Sequence, residues 1–597
     1  MCFPSDRDGK LSGVFYYFSL SNKDFFSVLE KRWNFLQADK EKVARLQQDL
    51  RIHPALLKIL IQRGIETFEQ VKNFFRPELS HLHNPFLMKD MHQAIARIHR
   101  AIQQQQKILI YGDYDVDGTT AVSLLYLFFK PIYPHIDFYV PHRYREGYGI
   151  STQGIDYAAQ NGFPLIIALD CGIKAIDKVD YARSLGIDFI ICDHHLPGTE
   201  VPKAVAVLDP KQYDCPYPYK ELSGCGVGFK LIHAFCLEHG YSLDRCYQLL
   251  DLVCVSIAAD IVPITGENRV LAYHGLKKLN SEKILPGLQS LKTLAGLKDE
   301  MDINDVVFVL APRINAAGRI DDAKHAVKLL IGEVKEETFD HAETLHQLNY
   351  ERKNLDKQIT REALAIIEAN EGLKQRKTTV VFNQNWHKGV IGIVASRLTE
   401  SYYRPTIVLT ECDGKITGSA RSVKYFNLYE AIYACRQHLI QFGGHHFAAG
   451  LTLHKENLEP FSIAFEEYVS AHIHPEHLIP EIDIDAVITL DDVTDSFYAI
   501  VKQMAPFGPG NMNPIFVVKH LRDSGYSRIL KDEHIRLSIK HNGTFFNGIA
   551  FGMAHLFPMI QHEFFDIAFH IEENVWEDRK SLQLVIKEIR KSDKTQP

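Results

Sequence analysis

The chain has 597 residues, 46% of them hydrophobic, and a formal net charge of -7 at pH 7. That length supports three or four domains with their own cores, and the composition excludes an intrinsically disordered protein. The acidic balance argues weakly against a nucleic-acid binder, but carboxylates gathered around metal ions reverse the local field, so whole-chain charge is a poor guide to the substrate. Ten cysteines without a C-x-x-C pair suggest neither a disulfide framework nor a zinc ribbon, which leaves most of them as core thiols. The longest apolar stretches, such as "LLDLVCVSIAADIVPI" (Leu249 to Ile264), carry acidic residues and fall short of a membrane span. The first twenty residues carry charges where a signal peptide needs its apolar core and fit no recognisable element. A cytoplasmic protein is expected.

In chain order, an N-terminal extension and helical segment (1–85) precedes a first α/β domain (86–332). There "KILIY", "IDFYV", "PLIIALD", "DFIICD" and "AVAVLD" read as strands of a βαβ series and predict a parallel sheet. After the first strand come "DYDVDG" and the apolar helix "TTAVSLLYLFFK", with threonines as its capping residues. Three alternating aspartates before a glycine also open a calcium-binding EF-hand loop, but the twelfth position is Leu124 where a glutamate is needed, and a strand stands where a helix should. Residues 333–375 predict a long connecting helix. A second α/β domain follows (376–470), then five short strand-like runs (478–597) that suit a small β-barrel of the OB-fold type.

Ligands bind at the carboxyl ends of strands in an open parallel sheet, so acidic residues ending several strands should converge. Asp113, Asp115 and Asp117 follow the first strand, Asp170 ends "LIIALD", Asp193, His194 and His195 follow "FIIC", and Asp260 closes "CVSIAAD". One such aspartate commonly just caps a helix; four clusters in one domain are harder to dismiss. Oxygen ligands with a little imidazole suit manganese or magnesium. Enough carboxylates are present for two ions and phosphoester hydrolysis.

"DYDVDG", "LDCGI", "DHH" and "AADIVP" resemble the four successive motifs of the DHH phosphoesterase superfamily. "RINAAGR", "WHKGVIGIVASRL", "GSARS", "GGHHFAAG" and "PFGPGNMNPIF" are similar to further motifs of its RecJ family, bacterial single-strand-specific exonucleases, over residues 50–597. The resemblance implies a two-lobed core with an OB-fold and a 5'-to-3' exonuclease of recombination and repair, releasing 5'-mononucleotides. It implies that Asp117, Asp170, His194 and Asp260 bind one ion, with Asp113 and Asp115 on a second bridged by Asp170. His195 would sit beside the scissile phosphate, and Asp193 would orient a histidine.

For the nucleic acid, the resemblance implies a 5'-phosphate pocket of Ser419 and Arg421 joined by Arg143. Arg313, Asn315 and Arg319 would line the strand's path. His387, Gly389, Gly392 and Arg397 would form a phosphate-binding helix start, and Gly444 and His445 a second one. The expected partners are single-stranded DNA, single-strand-binding protein and a RecQ-type helicase, for a monomer with no membrane contact. An oligonucleotide or cyclic-dinucleotide phosphodiesterase would lack the OB-like tail. A pyrophosphatase would begin its first motif with histidine, and a non-catalytic scaffold would have lost the acidic ligands that this chain retains.

Overall fold

The computed structural model describes residues 29–297, 300–576 and 579–593, so the opening twenty residues lie outside the described chain. Five strands form an all-parallel sheet in the spatial order Ile136–Tyr139, Ile108–Gly112, Leu165–Leu169, Asp188–Cys192, Ala206–Leu208. They are continuous apolar runs because both faces of the sheet are covered. Ile108, Ile110, Leu165 and Ile167 enter one core, whereas Leu109, Tyr111, Ile166 and Ala168 enter another on the opposite face. Parallel strands end along one edge, and the acidic turns therefore meet there.

Two local expectations change. The helix after the first strand is Val116–Phe129, with Asp115 rather than a threonine as its N-cap; the Asp115 carboxylate accepts from the Gly118 amide at 3.0 Å. Gly118 is thus inside the first turn, where a Cβ would overlap the Asp113 carbonyl. Asp260 ends a buried helix, Leu250–Asp260, rather than a strand. Its apolar run cannot distinguish the two by periodicity, since every side of the element is buried up to Ala258.

The connecting helix is Lys335–Glu368, followed by a short turn of helix, Glu371–Gln375. At 1.5 Å per residue it runs about 50 Å. Ala342 and Leu345 anchor it in the core of the first lobe, Ile359, Ala363 and Ile367 in that of the second. The second lobe has a five-stranded sheet in the order Gln441–Gly444, Ala448–Leu453, Lys415–Arg421, Thr406–Cys412, Thr379–Phe382. Asp413 and Gly414, both at positive φ (52° and 70°), make the two-residue hairpin turn that sets the register of the strand bearing Ser419 and Arg421.

The C-terminal sheet has seven strands rather than five, because Ala486–Val487 and Arg528–Leu530 are too short to show a period of their own. The N-terminal segment joins this domain. Strand Arg32–Phe35 pairs in parallel with Glu481–Ile484, and helices Lys40–Asp49, Pro54–Gln62 and Phe68–Phe75 share one core with the barrel. Of the nine described cysteines, all free, eight are buried. No described helix is long and apolar enough to cross a membrane.

Arg269, buried at 4% exposure, holds three segments together. It donates to the carbonyls of Phe74 (3.0 Å), Met504 (2.8 Å) and Ala505 (3.1 Å), and its guanidinium lies 3.8 Å from the Phe74 ring centroid. Beside it, Ile264 donates its amide to Pro509 O at 2.7 Å, docking a loop of the C-terminal domain near the helix that ends in Asp260. Arg269→Ala strands several buried carbonyls and is expected to cost about 3 kcal/mol in denaturant unfolding. An unchanged unfolding midpoint would contradict this role.

Candidate metal centre and nucleic-acid cleft

His194 Nε2 lies 3.1 Å from Asp170 Oδ1, 3.6 Å from Asp260 Oδ2 and 3.7 Å from Asp117 Oδ2. Asp117 is fixed by the N-terminus of helix Gly224–His239: the Gly224 and Cys225 amides donate to it at 2.6 and 2.7 Å, and Ser256 Oγ donates at 2.7 Å. Gly224 permits this approach, because a Cβ there would lie 2.6 Å from Asp170 Cβ. Asp170 itself has left-handed backbone (φ 58°), which turns the chain sharply at the strand end. Asp113 accepts from the Gly149 amide at 3.2 Å.

The group is electrostatically incomplete as protein alone. Burial raises the pKa of Asp113, Asp117 and Asp170, and neighbouring carboxylates raise them further; Asp260 is pushed up to about 8 by burial, then by Asp117 and Asp115. Asp113 Oδ2, Asp170 Oδ1 and both His194 ring nitrogens are buried without a hydrogen-bond partner. Although Asp170 Oδ1 and His194 Nε2 are close, they are not aligned as a hydrogen bond. Crowded acceptors with free lone pairs fit a divalent cation. Asp117, His194 and Asp260 offer ligand atoms within 4.8 Å of one another, as do Asp170, His194 and His195. Asp113 and Asp115 border this group. Asp115 acts through its charge on Asp113, Asp117, Asp170 and Asp260.

His195 is differently engaged. Its Nδ1 meets Asp193 Oδ1 at 2.7 Å, and its Nε2 is 3.1 Å from the Tyr148 hydroxyl. Burial alone would lower its pKa, but the Asp193 bond and charge carry it up to about 9. Asp193 also accepts from the amides of His194, His195 and Ile173, and despite burial its carboxyl falls to about 2. Tyr148 was not singled out by sequence, nor were Gly224, Cys225 and Ser256; the glycine-rich "SGCGVG" was the available signal for the helix start.

Toward the second lobe, Arg421 donates to Ser419 Oγ at 3.0 Å, and both pack against Gly392, where a Cβ would lie 3.0 Å from Ser419 Oγ and 3.1 Å from Arg421 Nη2. Gly392 is in the first turn of helix Ile391–Tyr402, which has no side-chain cap. Arg319 Nη1 reaches Gly389 O at 3.3 Å, and Tyr144 donates its hydroxyl to the Arg319 carbonyl. Arg143 stacks 4.3 Å from the Tyr114 ring centroid with its Nε unpartnered. Arg319 is lowered to about 10 by burial, then by the charges of Arg143, Arg352 and Arg421. These arginines make a cationic pocket across the two lobes.

The other expected residues divide. His387 accepts from the Gly389 amide at 3.2 Å and so shapes the helix start. Arg397 pairs with Asp356 of the connecting helix at 2.8 Å, and Arg313 donates to Val309 O at 2.6 Å and meets His346 at 3.4 Å, so both tie helices together. Asn315 is half-buried on the helix Ala311–Ile320. "GGHHFAAG" is not a helix start but a hairpin, with Gly444 ending one strand and Ala448 beginning the next. The close approach is at Gly444, where a Cβ would overlap the Ala448 carbonyl oxygen. His445, at its exposed tip, feels the charges of Lys174 and His195 from the first lobe.

A parallel sheet with this acidic edge and a companion lobe define a metal-dependent phosphoesterase of the DHH type. The DHH family N-terminal domain matches residues 107–257, the DHHA1 domain 375–471 and the RecJ OB domain 484–588. The single-stranded-DNA-specific exonuclease RecJ of Bacillus subtilis is 38% identical over 566 residues, covering 94% of this chain and 71% of its own. That of Escherichia coli is 30% identical over 564 residues, covering 90% and 96%. RecJ from Thermus thermophilus, crystallised with Mn2+ and with Mg2+, superposes with TM-scores of 0.80 and 0.74 at 24% identity; each match spans 94% of this chain, and 80% and 79% of that one. The chain belongs to the RecJ family of single-stranded-DNA-specific exonucleases.

Asp117→Ala and Asp170→Ala are each expected to abolish Mn2+-dependent cleavage while leaving strand binding, read by fluorescence anisotropy, mostly intact. Loss of binding in step with cleavage would contradict the separation of the two sites.

Proposed function

We propose that the protein degrades single-stranded DNA from its 5' end, one nucleotide at a time, releasing 5'-mononucleotides in recombination and repair. The observation that carries this reading is the grouping of Ser419, Arg421 and Arg319 about the uncapped start of helix Ile391–Tyr402, with the charge of Arg143 felt at Arg319. A guanidinium fork suits the dianion of a terminal phosphate. A strand held by that end presents its first internucleotide bond to the acidic edge.

Asp117, Asp170, His194 and Asp260 would hold one divalent ion, and Asp113 and Asp115, with Asp170, a second. When bound, such ions supply Lewis acidity that activates water and steadies in-line displacement at phosphorus. The protein's own groups do the remaining work. Asp193 fixes the His195 ring through Nδ1, and Nε2, 3.1 Å from the Tyr148 hydroxyl, would turn from that partner to donate a hydrogen bond to the developing phosphate charge. The hairpin bearing His445 closes the cleft from the opposite lobe, and the barrel holds the trailing strand. Single-strand-binding protein and a RecQ-type helicase are the proposed partners of a monomeric cytoplasmic enzyme.

The test is a Mn2+-dependent digestion of single strands labelled at either end, beside duplex, RNA and cyclic dinucleotide substrates. Immediate release of 5'-labelled mononucleotide from single-stranded DNA is expected; release first from the 3' end, or preference for cyclic dinucleotide, would overturn the reading. Arg421→Ala is expected to reduce the preference for a 5'-phosphorylated over a 5'-hydroxyl end about tenfold. Unchanged discrimination would remove Arg421 from the pocket.

A further inference from the structure

The connecting helix buries one stripe spaced by three or four residues. Its ends, Ala342 and Leu345 on one side and Ile359 and Ala363 on the other, sit in the hydrophobic cores of the two lobes. Its middle breaks that pattern: Asn349, Arg352 and Asp356 stand where the spacing would otherwise bury hydrocarbon. Polar groups at such positions need partners. Asp356 has Arg397 at 2.8 Å. Arg352 Nε and Asn349 Oδ1, by contrast, are buried with no hydrogen-bond partner.

What packs along the connecting helix here is the helix that carries Arg319. The helix Ala311–Ile320 is tied to the connecting helix through Arg313 and His346, and it ends at Arg319, whose guanidinium reaches the Gly389 carbonyl. Gly389 leads into the helix start that touches Ser419 and Arg421. The charge of Arg352 is felt at Arg319 together with those of Arg143 and Arg421. The carboxylates facing the group are Asp113 and Asp115, on the metal side, and Asp356, already engaged by Arg397. Four guanidiniums whose facing carboxylates are turned to the metal side or already paired leave a place for a doubly charged oxyanion.

We propose that Arg352 is a further binding residue for the 5'-terminal phosphate, donating from the connecting helix into the pocket of Arg143, Ser419 and Arg421. The inference rests on the proposed 5'-end recognition and adds the inter-lobe element to it. Because the helix is anchored in both lobes, the phosphate is gripped by both lobes and by the rod between them. A lysine at this position would keep the charge but lose the planar fork.

The experiment compares kcat/KM on 5'-phosphorylated and 5'-hydroxyl single strands for the wild type, R352A, R352K and R421A, with melting temperatures alongside. R352A is expected to lose about tenfold more on the phosphorylated strand than on the hydroxyl strand, with the loss mainly in KM, and R352K to lose an intermediate amount. Equal losses on both substrates, or an unaltered preference, overturn the inference. If R352A does not fold, R352K decides alone: wild-type discrimination in that variant overturns the proposal. Should R421A erase the preference while both Arg352 variants keep it, only the Arg352 assignment fails; should R421A also keep it, the 5'-phosphate pocket fails with it.

Discussion

Mutual repulsion among buried carboxylates is the constraint that the rest of the molecule is arranged to withstand. Asp113, Asp117 and Asp170 are almost wholly removed from solvent, with Asp115 and Asp260 beside them, and burial and like charge act in the same direction on each of the buried three. Such a cluster opposes folding of the protein alone. It persists because the backbone around it is over-determined: the start of helix Gly224–His239 meets Asp117 with two amides, and Gly118 and Gly224 leave no room for a side chain. A divalent cation converts the repulsion into coordination.

The second lobe presents the opposite sign. Arg421 stands at the start of helix Ile391–Tyr402, and Arg319 reaches it from the first lobe. On the proposed reading, a nucleic acid strand running between the two would be held as an anion at one side and would reach bound cations at the other. This division reconciles a net charge of -7 with a polyanionic substrate, since the whole-chain sum averages over two regions that act separately. The connecting helix fixes the spacing between them, and Arg269 fixes the barrel to the first lobe near Asp260.

Much of the site was legible in the sequence because strand-end aspartates in a parallel sheet have nowhere else to converge. Asp170 and His194 follow directly from that rule. Asp260 reaches His194 from the end of a helix and not of a strand, a difference hidden from sequence because a buried helix and a buried strand share the same apolar composition. The hairpin of "GGHHFAAG" was hidden for a related reason, since glycine clusters mark both helix starts and close strand pairing. Tyr148 and Ser256 were invisible, being ordinary residues made significant only by tertiary contact with His195 and Asp117. The N-terminal strand Arg32–Phe35 is equally beyond local reading, because its partner lies more than four hundred residues away.

The central claim is that the carboxylate cluster is a liability to the metal-free fold and an asset only with a cation bound. A carboxylate whose folded pKa is raised destabilises the protein at every pH above its ordinary range near 4, and the penalty grows until the pH passes the raised folded value, above which it is constant. The direct measurement is thermal unfolding of the wild type and Asp170→Asn at neutral pH, with chelator and with Mn2+. The account predicts that the variant melts higher than the wild type in chelator and that Mn2+ raises the wild type far more than the variant. A variant that melts lower than the wild type in chelator, or equal stabilisation of both by Mn2+, would contradict it.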